Sequence, residues 1–483
     1  MQLGRWIHTS TLLVGLSFLL GGCASVSPTS NALDQLLADP ALQGATVSLM
    51  VRDARSGNTL YQHNPRTRLV PASNLKLLTT AAAMDVLGPQ YRFATQLLSN
   101  GIRQGDRLTG NLYLRGLGDP TIQFADYQAL AAQLASQGVR QVQGDLVFDD
   151  TWFDAERLGV DWSHDDETTY YGAQISALTV SPNSDFDAGS VLVTAKAPVR
   201  VGVPVNVEIF PPTDYLQLSN RAVSGPGNTY GINRRHGTNL LQLSGAVAPG
   251  RQSPQLVSVW EPTQLVANLF EQALKQQGIT VLGRRVMGAT SPAGVTVLAE
   301  HQSAPLQELI TPLLKLSNNN MSEALLKAMG RQTANSGTAA AGAMAVAGFL
   351  KRQGVDTATL KQVDGSGLSR QNLVSAQTLT DLLLAASKQP WFNAWYNALP
   401  IAGNTDRMTG GSLSYRLRST PAENNLHAKT GSMGGVSSLS GYITDAHGRQ
   451  LVFSMLSNNY VVAGAQVKAL ENRVAVALSR WGD

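Results

Sequence analysis

"LVPASNLKLLTT", residues 69–80, places Ser73 and Lys76 three positions apart inside an apolar run. Residues at that spacing share one face of a helix. Two readings fit the stretch. Ser73 caps a helix and Lys76 reaches solvent. Alternatively, the Ser73 hydroxyl lies against the Lys76 amine in the first turn, where the helix dipole favours a developing alkoxide. An amine is a base only when neutral. Leu75, Leu77 and Leu78 are placed to strip water from it, and a second cation nearby would lower its pKa further.

The surrounding chain gives this helix a setting. Pro71 stands near its start and Gly88 at its end. Before it, "NALDQLLADPAL" (31–42) reads as a short amphipathic helix, and "ATVSLMVRDARSGNTLYQHNP" (45–65) as a hairpin of two alternating strands around "RSGN". From about residue 92 the texture changes. "LTGNLYLRGLGDPTI", "YQALAAQLASQG" and "VRQVQGDLVFDD" (108–150) form a strand–helix–strand unit. Residues 189–259, rich in Val, Pro, Gly and Asn, read as a small all-β module. "EPTQLVANLFEQALKQQG" (261–278) is a helix and "ITVLGRRVMG" (279–288) a strand.

After about residue 300 helices return. "PLQELITPLLKLSNNNMSEALLKAMGRQ" (305–332) is helical with a polar break at Ser317 to Asn320, and two more helices follow at 339–354 and 375–389. Strands then surround the turn "DAHG", and an amphipathic helix ends the chain. Strands at both ends of a helical region imply an antiparallel sheet with helices on its faces, interrupted by a large insertion.

With 483 residues, two or three domains are expected. Hydrophobic residues make up 43% and charged residues 14%, a core-forming composition. A net charge of +4 without a dense Lys/Arg block gives no footprint for nucleic acid. At the N-terminus, Arg5 precedes an apolar stretch from Leu12 to Leu20 and then "LLGGC". This is a secretory-signal pattern, too short for a comfortable membrane span. Cys23 is the single cysteine. It resembles the lipidated cysteine of a bacterial lipoprotein, followed by a tether over 23–31. No internal disulfide is possible, and the histidines show no H-E-x-x-H spacing, so no metal or other cofactor is expected.

Two further signatures complete the pattern. Ser317-Asn318-Asn319 breaks a helix, where a hydroxyl can relay a proton and an amide can grip a peptide, although a helix-capping loop has the same composition. Lys429-Thr430-Gly431-Ser432 lies in a strand. There a Lys and a Thr can bind a carboxylate, and Gly431 lets a ligand lie on the backbone. S-x-x-K, S-x-N and K-T-G in this order are the set of penicillin-interacting serine enzymes.

On these residues the chain resembles the class C low-molecular-mass penicillin-binding proteins, D-alanyl-D-alanine carboxypeptidases/endopeptidases similar to penicillin-binding protein 4. "GLGDPTI" (116–122), "YYGAQISAL" (170–178), "DGSGLSRQN" (364–372) and the long span between the first two motifs add to the resemblance. Gln174 departs from an expected Pro, and Asn318 stands where Asp is also frequent.

The resemblance implies an α+β fold. A β-lactamase/transpeptidase-like domain over 32–91 and 300–483 carries an inserted α/β domain (92–188 and 260–299) and a nested small β domain (189–259). It implies Ser73 as nucleophile, Lys76 as base and Ser317 as proton relay. Asn319, Lys429, Thr430, Gly431 and Ser432 would bind substrate, with Lys429 also the cation that keeps Lys76 neutral. The backbone N–H groups of Ser73 and Ser432 would form the oxyanion hole. Asp166, in competition with Asp165 and Glu167, and Met433 would meet a diaminopimelate-type side chain. His427 is expected to be an alternating strand residue rather than a base. Implied partners are peptidoglycan peptides, β-lactams as covalent inhibitors, and a membrane through Cys23, in the cell envelope or periplasm. A β-lactamase-like hydrolase and a non-catalytic peptidoglycan-binding lipoprotein are the alternatives.

Overall fold

The computed structural model describes residues 28–482. The expected signal segment and Cys23 lie outside the described residues. The tether was expected to run to Asn31, but a helix, Pro28–Leu37, already occupies its end. That helix buries Leu33 and Leu36 against Val467, Leu470 and Val474 of the C-terminal helix Gly464–Ser479.

The hairpin and the three late strands join one antiparallel sheet. Its order is Thr59–His63, Thr46–Asp53, Gln450–Asn458, Val436–Thr444, His427–Met433. The strand Thr46–Asp53 was expected to alternate, yet residues 47–51 are all buried. Val47, Leu49 and Val51 face the C-terminal helix cluster, while Met50 meets Thr380 of the helix Ala376–Ala386 on the other face. A strand covered on both faces loses its polar side. His427–Met433 lies at the sheet edge; its start is paired, Ala428 N donating to the Pro400 carbonyl (2.9 Å), and Thr430 to Met433 line the cleft.

The insertion contains a second five-stranded sheet, ordered Arg285–Met287, Leu146–Asp149, Leu112–Gly116, Ala94–Ser99, Thr296–Gln302. Leu112–Gly116 and Leu146–Asp149 pair in parallel across the helix Phe124–Ser136, the unit read from sequence. Two boundaries differ from expectation. "ITVLGRRVMG" forms two short strands either side of Gly283, where a Cβ would lie 2.3 Å from the Gly144 carbonyl. Thr296–Gln302 pairs with Ala94–Ser99, so the inserted sheet reaches Gln302 rather than stopping at 299.

Residues 190–258 form only strands, in small sheets. They do not have a core of their own. Val191, Val193 and Val257 pack in one cluster with Leu265, Val266 and Phe270 of the helix Pro262–Gln276 and with Leu114 and Phe148 of the inserted sheet.

Candidate active site

Ser73 lies on a single turn of 3-10 helix, Ala72–Leu75, which runs into the α-helix Lys76–Val86. The expected helix thus begins with a tighter turn. Ala72 has φ +47°, a left-handed conformation that costs a non-glycine residue energy and tends to occur at functional sites. The turn is pinned from the sheet: Ser438 Oγ donates to the Pro71 carbonyl (2.7 Å), and Asn74 Nδ2 donates to Ser440 Oγ (2.8 Å).

Lys76 is 0% exposed. Its ammonium has three acceptors: Ser73 Oγ at 3.0 Å, Asn319 Oδ1 at 2.7 Å and the Ser366 carbonyl at 2.8 Å. Burial lowers its pKa from 10.5 to about 7, against the opposing pull of the Glu323 and Asp364 carboxylates. The surface-lysine reading of "LVPASNLKLLTT" is thereby excluded.

The polar break is shorter than expected. The helix Leu306–Leu316 stops at Ser317, held at φ +61°, and the next helix, Asn319–Ala334, is capped by Asn318 Oδ1 accepting from Met321 N (2.9 Å). Asn319 and Asn320 are already helical. Asn318 Nδ2 donates to the Asp185 and Phe186 carbonyls, fastening the break to the insertion.

Lys429 is also fully buried, and its Nζ donates to Ser317 Oγ at 2.9 Å. Burial, followed by the like charge of Lys76, pushes its pKa well below 10.5. The expected division of labour therefore needs correction. Burial is the cause that lowers Lys76, and the Lys429 amine beside it is depressed as well. Thr430 Oγ1 shares a hydrogen bond with Ser412 Oγ (2.6 Å), a neighbour with no motif to announce it. Gly431 is needed for close approach. A Cβ there would lie 2.3 Å from Ser438 Oγ, 2.7 Å from the Pro71 carbonyl and 2.9 Å from Ser73 N.

These residues line one cleft of about 810 Å³. Ser73, Ser317, Asn319 and Thr430 to Met433 line it together with Asp165, Asp166, Tyr170 and Tyr171 from the insertion. Asp166 Oδ1 accepts from the Tyr171 hydroxyl at 2.9 Å. Asp165 also reaches the cleft, whereas Glu167 points away to His236 (2.9 Å). Asn319 Nδ2 donates to the Tyr171 carbonyl (2.8 Å). His427 is absent from the cleft lining. It stacks on Tyr396 with centroids 4.3 Å apart, and burial lowers its pKa to about 4. Gln174 is buried, and its Oε1 accepts from Glu261 N (2.8 Å) at the start of the following helix.

Two carboxylates escaped the sequence reading. Glu323 lies one turn after Asn319, and its oxygens accept from Gly365 N and Ser366 N, both at 2.8 Å. Burial, with Asp364 next in strength, raises its pKa to about 7. Asp364 accepts from Gly367 N, Ser369 N, Asn372 Nδ2 and Trp162 Nε1. Together they shape the loop whose Ser366 carbonyl holds Lys76. The available signal was a buried-looking Glu at i+4 from Asn319 and the "DGSG" turn.

A family model described as the D-Ala-D-Ala carboxypeptidase 3 (S13) family matches residues 29–481. The chain is 43% identical over 481 residues to the D-alanyl-D-alanine carboxypeptidase of Actinomadura sp. (strain R39), covering 96% of this chain and 88% of that one. It is 29% identical to the D-alanyl-D-alanine carboxypeptidase DacB of Haemophilus influenzae, over 94% and 93% of the two chains. The crystal structure of penicillin binding protein 4 (dacB) from Haemophilus influenzae matches with a TM-score of 0.81 at 26% identity, covering 93% of this chain and 99% of that one. A structure of that protein complexed with a novel beta-lactam matches with a TM-score of 0.77 at 25% identity, over the same shares of the two chains. By sequence over nearly its whole length and by fold, this chain belongs to the S13 family of D-Ala-D-Ala carboxypeptidases.

Proposed function

We propose that the chain removes the terminal D-alanine of peptidoglycan stem peptides through an acyl-enzyme on Ser73, and that it also cuts D,D-cross-links. The observation that carries this is the 3.0 Å contact between Ser73 Oγ and a buried Lys76 whose amine is poised near neutrality. The Ser73 oxygen attacks the carbonyl between the two D-alanines, and its proton passes to Lys76 Nζ. The backbone N–H groups of Ser73 and Ser432 receive the oxyanion. The Ser317 hydroxyl delivers a proton to the leaving amine and is resupplied from Lys429 Nζ, 2.9 Å away.

Asn319 holds the substrate amide, which requires its Nδ2 to exchange the Tyr171 carbonyl for the peptide. Lys429 and Thr430 attract the terminal carboxylate, and Gly431 lets the strand close on the Ser73 turn. Water then cleaves the ester. The leaving amine belongs to free D-alanine in the carboxypeptidase reaction and to a second stem in the endopeptidase reaction. Asp166 and Met433, which both line the cleft, read the third residue of the stem, with Asp166 taking a distal ammonium. A β-lactam acylates Ser73 and stays. We infer further that the protein is exported to the cell envelope and anchored through a lipid on Cys23.

A fluorescent penicillin tests the nucleophile. Stable covalent label is expected on the parent and none on Ser73→Ala, so label surviving that change sinks the assignment. Defined monomeric and cross-linked muropeptides, with mass analysis of the products, test the two reactions. Rapid nitrocefin turnover would instead mark a β-lactamase.

A further inference from the structure

His164, Glu167 and His236 meet at the rim of the insertion, and the acyl-transfer chemistry uses none of them. Their ligand atoms all lie within 4.8 Å of one another. His236 Nδ1 is 2.9 Å from Glu167 Oε2, and the two imidazole rings stand 5.0 Å apart between centroids. The carboxylate comes from a firm base. Arg234 Nη2 donates to the Glu167 carbonyl at 2.9 Å, and the Ser258 hydroxyl donates to the same oxygen. The Arg234 guanidinium stays 3.9 Å from the carboxylate itself, so it does not occupy it with a hydrogen bond. Trp260 flanks the His236 ring edge-on at 5.8 Å. Both imidazoles are open to solvent, 71% and 62% exposed, which gives an ion a path in.

Two neutral imidazoles and one carboxylate form a donor set suited to a borderline-soft divalent ion and poorly suited to Mg²⁺ or Ca²⁺. Zn²⁺ bonds of about 2.0–2.2 Å put tetrahedral donors about 3.3 Å apart. The His236–Glu167 pair is already near that separation, and the set needs only the exposed His164 ring to close in. Water fills the fourth position.

We propose that His164, Glu167 and His236 bind one Zn²⁺ as a clamp joining the turn His164–Asp166 to the turn at 235–238 of the β module. The clamp is not catalytic, since its ligands are not among the residues that line the cleft around Ser73. It acts on position: Asp165 and Asp166 sit between its ligands in sequence and do line that cleft. This revises the expectation of a metal-free chain, which rested on spacing along the sequence. His236 lies far from His164 in sequence, so no short motif contains the site.

The test uses the full chain in a Cys23→Ser background, which removes its single thiol. Calorimetric titration with Zn²⁺ is expected to give one saturable site per chain, a rise in thermal midpoint, and no comparable site for Mg²⁺. His164→Ala and His236→Ala each weaken binding by at least the roughly 10–100-fold that loss of a ligand's outer partners costs. Glu167→Gln also weakens it. The histidines are exposed, so these variants keep the parent melting temperature in chelator. Ser73→Ala, dead for acylation, binds Zn²⁺ as the parent does, which separates this proposal from the reading of the cleft. Absence of a saturable Zn²⁺ site in the parent overturns it, as does equal affinity in the His164→Ala/His236→Ala double variant.

Discussion

Lys76 has no exposed surface and three oxygen acceptors, and those two facts pull in opposite directions. Acceptors stabilise an ammonium, while burial removes the water that would solvate it; burial is the larger cause. Acylation needs the neutral amine, so its rate should rise about tenfold per pH unit below about 7 and level off above. Stopped-flow penicillin acylation across pH checks this. Lys76→Arg keeps the charge but cannot surrender a proton, and it should abolish labelling. The same shift has a stability consequence. Between about 7 and 10.5 the unfolded chain holds the Lys76 proton that the folded chain has released, so folding becomes more favourable as pH rises through that window. Urea midpoints should climb more steeply there for the parent than for Lys76→Met. In the same cleft, Asp166→Asn should raise KM for stems with a distal amine and leave penicillin acylation nearly unchanged.

Two short elements hold these side chains in place. The loop at 364–369 is built on the carboxylates of Glu323 and Asp364, which accept from the backbone N–H groups of Gly365, Ser366, Gly367 and Ser369. Glu323→Gln sets an amide NH₂ against a buried N–H donor, a cost of about 1–3 kcal/mol. The melting temperature should fall, and acylation should slow because the Ser366 carbonyl no longer fixes Lys76. An unchanged melting curve would remove Glu323 from this role. The second element is the edge strand His427–Met433, which approaches the Ser73 turn through Gly431. Gly431→Ala should force strand and turn apart and cut acylation sharply while circular dichroism stays native-like.

Over the molecule as a whole, the insertion and the β module are tied by one apolar cluster. Excising residues 189–259 therefore opens the cluster around Leu265 and Phe270, and the shortened chain should be recovered as aggregate rather than as a soluble enzyme. A soluble excision variant with the parent melting temperature would contradict the shared core. The insertion is also fastened to the catalytic helices. Lys327 pairs with Asp154 at 2.5 Å, and Arg331 donates to the Thr151 carbonyl at 2.7 Å. Phe153 and Ile175 enter the helical core beside Leu325 and Leu326. These contacts fix the insertion, whose Asp165 and Asp166 line the same cleft as Ser73.

Short-range spacing was enough to mark Ser73 with Lys76, the helix break at Ser317, and a strand at Lys429, because each motif is set by helix or strand periodicity within a few residues. The sheet and its covering helices followed from the same periodicity. The remainder depended on partners distant in sequence. Lys76 meets the Ser366 carbonyl across 290 positions and Asn319 across 243, and only packing brings them within hydrogen-bond reach. The depression of Lys76, the matching depression of Lys429, and the carboxylates that oppose it are properties of burial, which a sequence encodes only through the whole fold. For the same reason, the merging of the β module with the insertion and the convergence of His164, Glu167 and His236 were decided by tertiary structure alone.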